Sequence, residues 1–399
     1  MRLSSISKLI NFATDFNMAD SKTLSQVRQD LRIKWYRSPI EIKTLRELSK
    51  PSDIEGFRMA LGHLLLWFCS GYACYTFYHQ EFWLLFVLAL SLHGTIGSFF
   101  NIAHHELCHK TVFKTKWLNS FFLRIFCFFG WLNFHVYIMS HSYHHRFTLF
   151  HEADKEVVLP ENPKLSFLHI LQIFTFNITG SFESRGILPI IKYFSNTSCN
   201  RFGESFFNYW DEELYKDAPI ERMKAVKWAR IVLFGHILIL IFSLAIGEPV
   251  LILLLSVHLF IGTWLRYFVG VPMHCGLRSN VADFRKSTRT IILNPLTEFL
   301  YWHMNWHIEH HMFAGVPCYN LKKLHKIVAL DMPKPRTLFG AWLEMRKTWL
   351  KQLENPKYEF DTHVPSERKI IHTRDEEGLA GSIGELAPKE IDFLNSVKS

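Results

Sequence analysis

Nine histidines stand in patterns that can hold metal. Eight lie in three tight clusters: His105-Glu-Leu-Cys-His109, His141-Ser-Tyr-His144-His145 and His307-Ile-Glu-His310-His311. His274 is a ninth candidate outside them. On a helix, residues three or four apart share a face, so His105 and His109 can reach one metal. In H-x-x-H-H the last two residues both lie near the first, and one stretch can offer ligands to two neighbouring metals. His104 precedes the first cluster and would point elsewhere. With 22 His in 399 residues, one H-x-x-H-H should arise by chance in roughly one such chain in fifteen, and two together far more rarely.

The ligand type narrows the chemistry. Imidazole suits Zn, Cu, Fe and Ni. A structural zinc takes four ligands, usually including Cys, so eight or nine histidines exceed one zinc site. Two metals with four or five His each account for the number. All-nitrogen ligation can hold a redox iron pair with positions open for oxygen. The seven Cys form no C-x-x-C pair, which argues against a zinc ribbon or a disulfide framework and fits a reducing compartment.

The elements that must carry these clusters are apolar. Hydrophobic residues make up 49% of the chain and charged residues only 20%, a balance that points to membrane spans. Four stretches are apolar enough to cross a bilayer: Phe57–Tyr78, Phe82–Ala103, Ile231–Gly247 and Val250–Val271. His79-Gln80-Glu81 joins the first two and Glu248-Pro249 the last two, so each pair is a helical hairpin. Neither turn carries Lys or Arg, whereas Arg37, Lys43, Arg46 and Lys50 precede the first span and Lys224, Lys227 and Arg230 precede the third. The positive-inside rule puts both termini, and the segment between the hairpins, in the cytosol. The net charge of +9 fits that cytosolic excess and also a face for anionic lipid headgroups or an acidic protein partner.

A fifth apolar stretch, Trp117–Ile138, holds Arg124 and Asn133. If it spanned, it would put the first two clusters on opposite sides of the membrane. It is expected to be amphipathic or re-entrant on the cytosolic side, as is the shorter Leu165–Ile178. The N-terminus shows no secretory signal pattern. The domain reading is a cytosolic N-terminal region over 1–54, a membrane domain over 55–335, and a cytosolic C-terminal helix with a mostly disordered tail over 336–399. His63, His93, His236 and His258 lie inside the spans and read as hydrogen-bonded interior histidines. His104, His135 and His303 read the same way. Glu106, Asp154 and Glu309 lie in or beside the clusters. They are candidates to orient ligating imidazoles, or else solvated or capping residues. The sequons at Asn177 and Asn196 fall in the cytosolic segment and read as chance.

The ordered triple of clusters resembles the membrane fatty acid desaturases and related hydroxylases. The flanks are similar too: His109-Lys-Thr-Val-Phe113 after the first, Arg146-Phe-Thr148 and Glu152-Ala-Asp154 after the second, and Asn305-Trp-His-Ile-Glu-His-His-Met-Phe313 with Val316-Pro317 and Asn320-Leu321 around the third. The likeness covers about residues 55–330. Ala314-Gly315 stands where a Pro is often seen, and His303 where many relatives carry Asn; these departures leave the subfamily open.

The resemblance implies an all-α integral membrane protein. Four transmembrane helices in two hairpins form a stem, and a cytosolic helical cap holds a histidine-ligated di-iron site. The ligands would be His105, His109, His141, His144, His145, His307, His310 and His311, with His274 matching a histidine found after the fourth span. It further implies O2 as co-substrate, a lipid chain in an apolar tunnel, and removal of hydrogen from an unactivated C–H bond. A desaturase acting on a fatty acyl chain is the first reading. A hydroxylase or ketolase of an acyl, sterol, carotenoid or alkane substrate uses the same site. A His-rich metal transporter would instead place its ligands at mid-membrane, and a catalytically dead binding protein would not need intact clusters. No His-Pro-Gly-Gly cytochrome b5 signature is present, so electrons are expected from a separate cytochrome b5-like or ferredoxin-like protein. No nucleic-acid partner is expected. The location is the endoplasmic reticulum in a eukaryote or the inner or plasma membrane in a bacterium.

Overall fold

The computed structural model describes residues 24–156, 165–180, 186–203 and 210–365. The first 23 residues and, of the tail expected to be disordered from Asn355, residues 366–399 lie outside the described residues. Two short helices, α1 (Leu24–Asp30) and α2 (Ile42–Leu48), lead into α3 (Asp53–His79). Ser52 caps α3 by accepting a hydrogen bond from the Glu55 N–H, and Asp53 and Glu55 put negative charge in its first turn, where the helix dipole favours it. A tight turn with Glu81 at φ 58° reverses the chain into α4 (Trp83–Ser98), and α5 (Phe100–Cys108) continues it. The first histidine cluster (box one, the second and third clusters being boxes two and three) therefore sits at the far end of a 26-residue apolar rod, Trp83–Cys108.

Box two follows a sharp corner. Helices α6 (Lys116–Phe129) and α7 (Phe134–Phe147) meet at 108°, with Trp131 in the left-handed region at the bend. The corner is pinned by the Trp131 indole donating to the Ser256 carbonyl (2.8 Å) and by Asn133 donating to the Ala225 carbonyl (2.9 Å). Then come α8 (Phe167–Phe174), α9 (Ile187–Ser198), α10 (Trp210–Tyr215) and the 27-residue α11 (Pro219–Ala245). At about 1.5 Å per residue, α11 is about 40 Å long, enough to cross a hydrocarbon core of about 30 Å.

Two helices, Trp83–Cys108 and Pro219–Ala245, are long and apolar enough to cross a membrane, and the bent α6–α7 pair makes a third if it is one span. These cover the expected second and third spans. Helix α3 covers the expected first and packs along α4, but Asp53, Glu55 and Arg58 make its start polar. Its outer face is apolar nonetheless: Leu61, Leu65, Phe68 and Tyr72 are all exposed, as are Phe234, Leu238, Ile241 and Phe242 of α11. So much outward apolar surface calls for a non-aqueous surrounding, and the protein is membrane-associated.

The expected fourth span, Val250–Val271, is not one helix. A short α-helical turn, α12 (Val250–Ile252), widens into a π-helical turn over Leu253–Val257, then tightens into a 3-10 turn over His258–Phe260. The backbone then turns extended at Ile261, with Gly262 at φ 62°, before α13 (Trp264–Gly270) begins. Backbone groups freed at such a break need partners in an apolar setting. The segment after α8 supplies them: Asn177 N–H donates to the Phe260 carbonyl (2.7 Å) and Gly262 N–H to the Thr175 carbonyl (3.0 Å). Gly94 and Gly97 of α4 let the broken segment come close. A Cβ on the first would collide with the Ile261 carbonyl oxygen, and on the second with the His258 ring.

The lone stem histidines are interior hydrogen-bonders. His63 lies between the Ile96 carbonyl (3.1 Å) and the Trp302 indole (3.0 Å). His93 joins Ser70 and the Leu254 carbonyl, and His236 joins Ser256 and the Phe128 carbonyl. His258 accepts from the Trp67 indole at 3.3 Å.

The last third of the chain builds the remainder of the site. It comprises α14 (Phe284–Ser287), β1 (Ile291–Ile292), α15 (Pro295–Leu300), α16 (His307–Met312), α17 (Cys318–Val328), β2 (Arg336–Thr337) and α18 (Leu338–Glu354). Strand β1 pairs in parallel with β2, Ile291 opposite Arg336. Beyond α18, residues 355–365 turn back on the body: Phe360 N–H donates to the Gly276 carbonyl (2.8 Å), Arg278 lies within 3.6 Å of Glu359, and Thr362 is buried.

Candidate metal centre

Helices α5, α7 and α16 converge their histidines on one another. His105 and His109 come from α5 and its C-cap, His141, His144 and His145 from α7, and His307, His310 and His311 from α16. His274 arrives from the loop after α13, just past a 3-10 turn. His105, His109, His141, His145 and His310 form one group, and His144, His274 and His311 a second, with the ligand atoms of each group within 4.8 Å of one another. His307 joins the second group, its Nε2 lying 3.0 Å from His274 Nε2 and 3.2 Å from His311 Nε2. All nine candidates thus meet in two adjacent groups, and the His145 and His311 rings stack between them at 4.5 Å.

The protonation pattern shows what the groups are fit for. Several rings have Nδ1 against an acceptor: His105 on Glu106 (2.8 Å), His141 on Glu156 (2.7 Å), His144 on Asp154 (2.9 Å) and His274 on the Ser287 carbonyl (2.9 Å). Thr148 gives its one hydroxyl proton to the His144 carbonyl (2.6 Å), so its oxygen accepts from His311 Nδ1 (3.2 Å). A neutral imidazole that donates at Nδ1 has a bare lone pair at Nε2. The anchored rings bring that lone pair to other Nε2 atoms: His141 Nε2 lies 3.2 Å from His109 Nε2 and 2.9 Å from His145 Nε2, and His274 and His311 Nε2 lie 3.0 and 3.2 Å from His307 Nε2. Converging lone pairs repel unless a cation lies among them, so the donor set fits bound metal. Burial, then the charge of neighbouring imidazoles, holds His307, His310 and His311 well below the usual histidine range and His274 down to about 3. These rings are neutral at physiological pH, the form that ligates.

The three carboxylates singled out in the sequence divide. Glu106 and Asp154 each hold a ring of the two groups. Glu309 does not: its oxygens take hydrogen bonds from Thr290 (2.7 Å) and from His325 (2.6 Å). Glu309 stands about 200° round the helix from His307, away from the metal-facing side. Glu156 does the work expected there, holding His141 and also accepting from Ser140 (2.6 Å). Its only sequence signal is its place two residues after Asp154. Of the other histidines near the clusters, His104 turns back to the Asn101 carbonyl (2.9 Å) and His303 pairs with Glu298 (3.1 Å).

Comparison with known proteins agrees with this geometry. The fatty acid desaturase family model matches residues 81–341, a stretch that includes all nine histidines and more than half of the chain. No curated protein matches the chain. The buried clusters and the family match make the protein an oxidoreductase of the desaturase and hydroxylase type, and the chain belongs to the fatty acid desaturase family.

Proposed function

We propose that this chain is an O2-dependent desaturase that introduces a double bond into a fatty acyl chain, using two irons held by the nine histidines. The reading is carried by one observation: two adjacent sets of imidazoles whose Nε2 atoms face each other about 3 Å apart. His105, His109, His141, His145 and His310 would hold one iron, and His144, His274, His307 and His311 the other. The iron pair, when bound, supplies O2 activation and hydrogen removal from an unactivated C–H bond. The chain's part is to fix the ligands, through Glu106, Glu156, Asp154, Thr148 and the Ser287 carbonyl, and to keep bulk water away by burial.

The same reading has four spans in two hairpins, with α12–α13 as a broken fourth, and both termini on the cytosolic side under a helical cap. Electrons come from a separate acidic carrier protein. The basic surface over box three supports this: Lys322, Lys323 and Lys326 of α17 are exposed, and His325 beside them reaches Glu309 and lies tilted against Trp306 at 4.6 Å.

Metal analysis of the detergent-solubilised protein, together with lipid profiling of expressing cells, tests the proposal. About two irons per chain and a new unsaturated lipid are expected. A new hydroxylated or keto lipid moves the protein to the hydroxylase branch. His144→Ala and His310→Ala should abolish turnover and lower bound iron while the protein stays in the membrane; full activity in both variants refutes the di-iron reading.

A further inference from the structure

His274 differs from the other eight ligand candidates. They lie on helices or at a helix cap, where the backbone ladder fixes each ring's direction. His274 follows a 3-10 turn with φ −127° and ψ −18° and has no ladder of its own. Its position is set from outside. The Ser287 carbonyl accepts from its Nδ1, and the Arg289 backbone N–H donates to the Met273 carbonyl at 2.8 Å. The Arg289 guanidinium, whose side chain is 0% exposed, reaches around the loop. One nitrogen donates to the Pro272 carbonyl (2.8 Å) and the Cys275 carbonyl (2.6 Å), on either side of His274. Its Nε donates to Glu344 of α18 at 2.7 Å, and Arg336 holds the other Glu344 oxygen at 3.2 Å.

A planar guanidinium can fork two carbonyls and a carboxylate at once, which a lysine ammonium on a flexible stem does not reproduce. We propose that Arg289 and Glu344 are positioning residues: they clamp the His274 loop and so complete the second metal group, while the first group, built wholly from α5, α7 and α16, does not depend on them. This rests on the two-metal reading above. It gives the C-terminal helix α18, which brings no ligand of its own, a role in metal retention.

The test uses the full chain, purified in detergent, stripped of metal and titrated with Co2+. The readouts are Co2+ bound per chain, the visible Co2+ absorption, and the melting temperature of the metal-free protein. The wild type is expected to bind two Co2+. Arg289→Met should retain one, with the first site's spectrum intact. Arg289→Lys should restore part of the second site, and Glu344→Gln should weaken that site about tenfold, as loss of an outer partner does, with the first unchanged. Two Co2+ at wild-type affinity in all variants overturns the proposal, as does a parallel loss at both sites, which would make the clamp a general fold element. If Arg289→Met does not stay monodisperse, Glu344→Gln decides by the same criteria. A wild type that binds fewer than two Co2+ refutes the two-metal reading itself, and the clamp with it.

Discussion

Replacing Asp154 by Asn should weaken one metal group and spare the other. Asp154 Oδ2 accepts from His144 Nδ1 (2.9 Å) and from the Leu149 N–H (2.9 Å), and Oδ1 accepts from the Glu156 N–H (3.1 Å). Asn keeps one acceptor oxygen. With that oxygen toward His144, its amide NH2 faces the Glu156 N–H, donor against donor. The His144 hydrogen bond also loses its charge assistance. A hydrogen bond to a charged group contributes about 1.5–3 kcal/mol, and tenfold in affinity is about 1.4 kcal/mol. The second group should therefore lose about 10- to 100-fold in metal affinity, the range found for outer partners of ligands. The assay is titration of metal-stripped protein with Fe2+ against a chelator under anaerobic conditions, resolving two binding steps. One step should shift and the other stay. Glu309→Gln is the control, because Glu309 touches no ring of either group, and should leave both steps in place. Equal shifts of both steps by Asp154→Asn, or no shift, would refute the assignment of Asp154 to His144 alone.

Glu298 of α15 gives a pH signature beside the third cluster. Burial would raise its pKa, but hydrogen bonds from His303, Trp306 and Lys322 outweigh it and bring the carboxyl from 4.5 down to about 2. A depressed carboxylate stabilises the fold above its unfolded pKa and loses that contribution as pH falls from about 4.5 to about 2. Glu298→Gln should therefore flatten the fall in melting temperature across that window; an unchanged slope counts against it. Gly97→Ala should collide with the His258 ring, destabilise the protein by about 1–3 kcal/mol as overpacking does, and lower its melting temperature in detergent; an unaltered melting curve refutes the close approach. Lys323→Glu with Lys326→Glu should slow electron transfer from an acidic carrier and weaken its salt dependence, without changing bound iron. Equal rates would move the docking face elsewhere.

The gathering of the histidines was legible in the sequence because H-x-x-H-H is a local statement: on any helix, His141, His144 and His145 come together on one side. Their outer partners were legible only where they lay in or just beyond a cluster, as Glu106 beside His105 and Asp154 after His145 do. The Ser287 carbonyl, Thr148 and Arg289 meet their rings or loops through chain reversals that spacing does not record. Glu309 misled because sequence nearness ignores the angle around a helix. The fourth span misled for a different reason. Hydropathy counts apolar side chains, and Val250–Val271 has them throughout, but the backbone inside it leaves the helix at Ile261, where the carbonyl oxygens lie against Gly94.

That break also constrains how the protein can be made. A membrane segment with unpaired peptide groups in its middle is a poor substrate for insertion on its own. Here the strand that pairs with Phe260 and Gly262 belongs to residues 175–177, synthesised well before them. By the time the broken segment leaves the ribosome, its partner is already waiting. The order of the chain therefore doubles as an order of assembly, in which α8 and the short stretch after it come before the broken segment that pairs with them.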